Sequence, residues 1–354
     1  MAYHWVHGTH PIMERIRIFF HVGLGKTGTS AIQAFLNYNR SGLMNQHSVL
    51  YPNMKGENFG AGRYHNHCNF ILRNTKEHCL EELRRAIRYT GQRDIRKIVI
   101  SCEGLFEDQK TVSIAGELSR EVPVSMIVYL RRQDHYIEAS WKQWGLKDSR
   151  YEDFADYARK FRTNWLATLQ RWSAVVGKEN LMVRVYEKDQ LVGRDVVPDL
   201  LSVLGIDYES SRWVAPEKTN LNINPGFNRD IIEVLELNKG FYSDIHDHAL
   251  FNFFSETQDA KWAKKPFEQY SLLSPAERLE VLGRSREMNT AIAREYLGRE
   301  ELFLEPAPDP DQAWEPYTFG LDTFVPVFFG LTYGAAKNLD GSLQRLRSGK
   351  RPGH

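Results

Sequence analysis

The chain has 354 residues, 42% of them hydrophobic and 12% aromatic, enough to bury a substantial core. Its 46 basic and 45 acidic residues nearly cancel at +1, which excludes the basic excess of a general nucleic-acid binder but leaves room for a local basic pocket. Three cysteines, Cys68, Cys79 and Cys102, are too few and too irregularly spaced for a disulfide framework or a metal knuckle, and they fit a reducing compartment.

The first 15 residues lack an apolar core of signal-peptide length. No run approaches the roughly 18 apolar residues of a membrane span, so a soluble, cytoplasmic protein is expected. A dense Ile, Phe and Val run predicts a strand over Ile16–Val22, and Ala31, Ile32, Phe35 and Leu36 then recur at helical spacing. Between them lies HVGLGKTGTS. Gly23, Gly25 and Gly28 let the backbone turn tightly and approach a ligand. The first N–H groups of the helix, from about Gly28 to Ser30, point unpaired at an anion; Lys26 adds charge, and Thr27, Thr29 and Ser30 add hydroxyls. The ATPase pattern G-x-x-x-x-G-K-[ST] would need glycine where Phe20 stands, so this is a shorter cradle. A βα turn without ligand is the bland alternative. His21, just before the cradle, is read as facing the sheet.

Further along, His65 and His67 follow a glycine-rich stretch over 56–62. An H-x-H pair could ligate a metal, but spacing suggests no third ligand and no metal is expected. Lys97–Ser101, Ser125–Leu130 and Leu181–Tyr186 are the next predicted strands. Glu103 follows the first of these and Arg132 ends the second. A helix capped by Asp134 is expected after it, with Ile137, Trp141 and Trp144 on one face and Ser140 eight residues beyond Arg132. A long helical region, Tyr151–Val176, is closed by Gly177, and Val196–Leu204 by Gly205. Ser274-Pro275-Ala276-Glu277 forms a capping box that opens a helix to about Gly298. Four prolines and several acidic residues over 305–316 read as an extended linker. Residues 319–339 are apolar and aromatic, followed by a basic end; packing back is the default, with a membrane surface or a partner as the other options. Strands alternating with helices predict an α/β, P-loop-like three-layer fold, its central, mainly parallel sheet flanked by helices. Ligands in such sheets gather at the carboxyl ends of the strands.

K-T-G-T-S after a strand, Arg132 and Ser140 eight residues apart, and VRVYEKDQLVGRDVVPDLLSVLGI over 183–206 resemble sulfotransferases that use 3′-phosphoadenosine 5′-phosphosulfate (PAPS). The likeness is to bacterial, carbohydrate-type members and extends over roughly residues 15–300. It implies that Gly25, Lys26, Thr27, Gly28, Thr29 and Ser30 hold the 5′-phosphosulfate, Arg132 and Ser140 the 3′-phosphate, and Tyr186 the adenine. Lys26 would stabilise the leaving oxygen and Glu103 would act as general base, with His65 and His67 on the acceptor side. Lys218–Asn222 falls where the family closes a loop over the cofactor, but without the Arg-Lys-Gly motif of its cytosolic small-molecule members. A sulfotransferase domain over 14–304, a linker over 305–318 and an apolar segment with basic tail over 319–354 are expected. Sulfuryl transfer to a hydroxyl, or secondarily an amine, of a carbohydrate or glycolipid would release adenosine 3′,5′-bisphosphate (PAP). A P-loop nucleotide kinase and a non-catalytic binding protein on the same fold are the alternatives.

Overall fold

The computed structural model describes residues 16–54, 67–208, 213–214, 229–237, 242–243, 247, 270–315, 320, 325 and 332. His65, the glycine-rich stretch 56–62, Lys218–Asn222 and nearly all of 319–354 lie outside them.

In chain order the elements are β1 (Arg17–His21), α1 (Thr29–Tyr38), α2 (Arg40–His47), β2 (Val49–Leu50), α3 (His67–Arg73), α4 (Lys76–Gly91) and β3 (Lys97–Ser101). Then come α5 (Gln109–Leu118), β4 (Val124–Leu130), α6 (Gln133–Trp141), α7 (Phe154–Lys160), α8 (Trp165–Val176) and β5 (Leu181–Val185). Last are α9 (Val196–Val203), α10 (Arg229–Leu237) and α11 (Pro275–Ile292). Five parallel strands form one sheet in the order β2-β3-β1-β4-β5. Strand β1 is central, which explains its unbroken apolar run: both of its faces are covered. By pleat alternation Phe19 and Phe20 point to opposite faces. Phe19, Val99, Ile127 and Tyr129 pack with Ile32, Phe35 and Leu36 of α1 and Leu200, Leu201 and Leu204 near α9. Phe20 meets Trp172 of α8, whose indole N–H donates to the carbonyl of Phe106 at 2.9 Å. The architecture is three-layer α/β.

By its contacts the chain divides into two compact units. The first, residues 1–133, 163–223 and 282–307, contains the sheet. A buried polar lock joins its strands β4 and β5 to α9: Asp199, fully buried, accepts from Tyr129 Oη at 2.9 Å, from Arg184 Nε at 2.9 Å and from the Val192 amide at 3.0 Å. Burial and the adjacent carboxylate raise the Tyr129 pKa far above its ordinary value, so the phenol stays a donor. The second unit, 134–162, 224–281 and 308–354, centres on Ile137, Trp141, Tyr157, Ile231, Ile232, Leu235, Leu272 and Leu273. Glu138 accepts from the amides of Leu272 and Leu273 at 2.8 and 2.9 Å and pairs with Arg278 at 3.0 Å. The capping box forms as expected, the Ser274 amide donating to Glu277 Oε2 at 2.8 Å and the Glu277 amide to Ser274 Oγ at 3.3 Å.

Two local expectations are corrected, and two further details, a short strand and a π-helical turn, are not read from the sequence. The two-residue strand β2 is too short to carry an alternation signal. The helical region expected over Tyr151–Val176 is two helices, because Phe161 is extended (ψ 127°) and Asn164 leaves helical geometry (φ −126°, ψ 48°). Helix α6 starts at Gln133, so Asp134 lies in its first turn and pairs with Arg278 at 2.8 Å rather than capping it. The last helix passes into a π-helical turn, Ala293–Leu297, before Gly298 adopts φ +66°. Among the described residues no helix is long and apolar enough to cross a membrane.

Candidate anion and donor site

The glycine turn forms at the carboxyl end of β1. Helix α1 begins at Thr29 with Gly28 in the N-cap position. Gly28 is left-handed (φ +78°), has no side chain with which to cap, and no acid stands in the first turn of α1. The leading N–H groups of α1 are therefore left without a side-chain cap, and the helix dipole reinforces their preference for an anion. Lys26 also adopts a left-handed backbone (φ 66°), uncommon for a residue with a Cβ. Two contacts hold this turn. The Thr27 hydroxyl donates to the Leu24 carbonyl at 2.6 Å, and Arg131 Nη1 donates to the Lys26 carbonyl at 2.8 Å.

Glycine is needed at two places for lack of room. A Cβ on Gly28 would stand 2.8 Å from Val196 Cγ1 and 3.2 Å from Tyr186 Cε2. A Cβ on Gly23 would stand 2.5 Å from Thr29 Cγ2, 3.2 Å from His21 Nε2 and 3.5 Å from Thr27 Oγ1. Tyr186 thus borders the cradle, its ring centroid 5.7 Å from the Arg131 guanidinium carbon.

The turn after β3 is sewn to the same place. The Cys102 amide donates to the His21 carbonyl at 2.9 Å and the Gly104 amide to the Gly23 carbonyl at 3.1 Å. This brings Glu103 to the head of α1, where Thr29 Oγ1 donates to Glu103 Oε2 at 2.5 Å. Cys68 and Cys102 both contact the Glu103 carbonyl oxygen, at 3.1 and 3.5 Å.

Arg132 is 4% exposed. Its Nη1 donates to the carbonyls of Glu305 and Pro306 at 3.1 and 3.0 Å, and its Nη2 lies 3.3 Å from the Glu305 carboxylate. That strap is fixed in turn by Glu187, which accepts from the Leu304 amide at 2.8 Å. Ser140 belongs to the second unit, and its hydroxyl donates within α6 to the carbonyls of Tyr136 and Ile137.

His67 is placed differently from its expected acceptor-side position. It is fully buried, its Nε2–H donates to the Pro52 carbonyl at 2.8 Å, and its Nδ1 accepts from the Ser101 amide at 3.1 Å. Both ring nitrogens serve the backbone, which makes it a structural histidine. His21 is buried, facing the sheet as read from the sequence, with Nδ1 2.8 Å from Ser101 Oγ and its ring edge-on to Tyr129. Sequence reasoning chose Arg132 and missed Arg131, whose contact with the Lys26 carbonyl depends on which of two adjacent arginines turns toward β1. Among the described residues no group of three or more His, Cys, Asp and Glu side chains could hold a metal ion.

No family model matches the chain. An uncharacterized protein of Archaeoglobus fulgidus is 26% identical over 190 residues, 52% of this chain and 49% of that protein, so the match spans about half the length of the curated relative. Three solved structures are similar at low identity. A sulfotransferase from Alicyclobacillus acidocaldarius aligns at TM-score 0.34 and 15% identity, over 62% of this chain and 92% of that one. The sulfotransferase domain of the curacin biosynthetic pathway aligns at TM-score 0.33 and 11% identity, over 77% and 97%. That of the Synechococcus PCC 7002 olefin synthase aligns at 0.31 and 13%, over 80% and 98%.

Proposed function

We propose that the chain is a PAPS-dependent sulfotransferase acting on a hydroxyl, or secondarily an amine, of a carbohydrate or glycolipid. The observation that carries this reading is the convergence on one helix start of an uncapped N-terminus, Lys26 in a left-handed turn, and a carboxylate, Glu103, hydrogen-bonded to Thr29. A phosphate cradle with a carboxylate beside it suits transfer of an anionic group to a protic acceptor.

In this reading Gly25, Lys26, Thr27, Gly28, Thr29 and Ser30 surround the 5′-phosphosulfate of the donor. The acceptor oxygen attacks sulfur in line, and the bond from sulfur to the bridging phosphate oxygen breaks. Charge gathers on that departing oxygen, where Lys26 and the α1 amides stabilise it. The acceptor proton passes to Glu103, and PAP leaves. Tyr186, beside Gly28, offers its ring to the adenine, and Arg132 its planar fork to the 3′-phosphate. Ser140 is the second 3′-phosphate candidate that the sequence supplies. His65 remains an acceptor-side candidate from sequence, and a cytoplasmic setting is part of the same proposal.

Calorimetric titration with PAP against ADP tests the reading. Tighter binding of PAP, with sulfuryl transfer from PAPS that ignores added magnesium, is expected. Preference for ADP with magnesium-dependent turnover would establish the kinase alternative instead.

A further inference from the structure

We propose that His21 is a further binding residue of the glycine turn, its Nε2–H serving as a neutral donor to the bound anion. Under the reading above, on which this inference rests, that anion is the phosphosulfate end of the donor.

The first step is the tautomer. The Ser101 amide is committed to His67 Nδ1 at 3.1 Å, while the Ser101 hydroxyl lies 2.8 Å from His21 Nδ1. Among the described residues this imidazole nitrogen is the partner of that hydroxyl. If Ser101 donates to Nδ1, the His21 proton sits on Nε2 and one polar group is left without a partner. In the opposite tautomer two are left, the serine proton and a bare Nε2. The first arrangement is favoured, since each buried unpaired group is destabilising.

The second step is position. Nε2 is buried and has no hydrogen-bond partner among the described residues. It lies 3.2 Å from where a Cβ on Gly23 would stand, and the same point is 3.5 Å from Thr27 Oγ1 and 2.5 Å from Thr29 Cγ2. The N–H therefore borders the turn and the first residue of α1, the same helix start that lacks a side-chain cap. Two independent features, an uncapped helix start and an orphaned buried donor, meet at one place. Burial lowers the imidazole pKa to about 4, so the group donates without carrying charge across the neutral range. A buried donor without a partner is what an anion site holds before its ligand arrives.

The test uses the full chain and its His21→Phe and His21→Gln variants, titrated with PAP and, separately, with inorganic pyrophosphate. Phenylalanine keeps the ring volume and removes the donor; the glutamine amide can return an N–H near Nε2. His21→Phe should bind PAP roughly tenfold or more weakly, the ordinary effect of losing a hydrogen bond to a charged group, while its thermal midpoint holds or rises. His21→Gln should recover most of the affinity. Independently, 15N spectra of the wild-type imidazole should show a protonated Nε2 whose resonance moves on adding PAP. Equal PAP affinity in wild type and His21→Phe, or an Nε2 resonance that PAP leaves unmoved, overturns the inference. Should His21→Phe fail to fold, the wild-type spectra decide alone. If wild type binds pyrophosphate but not PAP, the donor assignment falls, and His21 stands or falls on the pyrophosphate data. Binding of neither overturns both.

Discussion

The hydroxyl of Thr29 donates to the carboxylate of Glu103 across 2.5 Å, so the first residue of α1 and the turn after β3 act on the same space. If Glu103 accepts the acceptor proton, Glu103→Gln should lower kcat roughly 100-fold or more while leaving PAP affinity within about twofold. Thr29→Val should lower kcat less, because it removes the donor that orients the carboxylate and keeps the carboxylate itself. Steady-state kinetics with PAPS, paired with calorimetry, check both.

Arg131 holds the Lys26 carbonyl at 2.8 Å, and Lys26 is left-handed. Arg131→Ala should cost about 1.5–3 kcal/mol of stability, the usual net worth of a hydrogen bond from a charged group, and weaken PAP binding several-fold through the loosened turn. Arg131→Lys should recover part of the affinity. Urea denaturation and calorimetry separate the two effects.

Gly28 and Gly104 distinguish strain from collision. Both have positive φ, +78° and +84°, but a Cβ at Gly28 meets Val196 Cγ1 at 2.8 Å whereas one at Gly104 meets nothing within 4 Å. Each alanine substitution carries a left-handed penalty of roughly 1–2 kcal/mol. Gly28→Ala should cost roughly 1–3 kcal/mol beyond that for overpacking. Denaturant midpoints of the two variants give the difference.

Glu305 occupies Arg132, the proposed 3′-phosphate partner, at 3.3 Å. Glu305→Ala should then tighten PAP several-fold, and Arg132→Ala should weaken PAP roughly tenfold or more. Neither change should affect adenosine 5′-phosphosulfate, which lacks the 3′-phosphate. Competition titrations with the two nucleotides provide the check.

The depressed pKa of His21 has a definite sign. Folded, it titrates near 4; unfolded, at its ordinary 6.5. The unfolded chain binds the extra proton between these values, so the contribution to stability is complete above about pH 6.5 and is lost as pH falls toward 4. The full loss is about 3 kcal/mol. Its ring neighbours Ser101 and Tyr129 do not titrate in that window. Urea melts at pH 5 and pH 7 should show a smaller difference in His21→Phe than in wild type.

Much of the sheet was legible because buried parallel strands are continuous apolar runs: Lys97–Ser101 matches its observed bounds, and the other three long strands lie within two residues of theirs. The glycine turn after β1 was legible because Gly23 and Gly28 are the residue type that a tight turn demands, whereas the left-handed backbone of Lys26 was not. What escaped depends on register between distant segments. His21 stands opposite Ser101 only because β1 and β3 pair in parallel with Arg17 against Lys97. The choice between Arg131 and Arg132, and the docking of Glu305, likewise follow from packing that local spacing does not encode. His67 was put on the acceptor side by family resemblance alone, which carries no information on burial; its ring is buried and both of its nitrogens serve the backbone.

Ser101 has a consequence for recombination. Its amide donates to one imidazole and its hydroxyl lies against another, so positions 21, 67 and 101 are coupled although they stand in three separate segments of the chain. A chimera with a distant homologue joined anywhere between 21 and 101 would draw members of this trio from different parents. Such hybrids should assemble poorly unless both parents carry the same three residues, whereas junctions placed after 101 leave the trio whole.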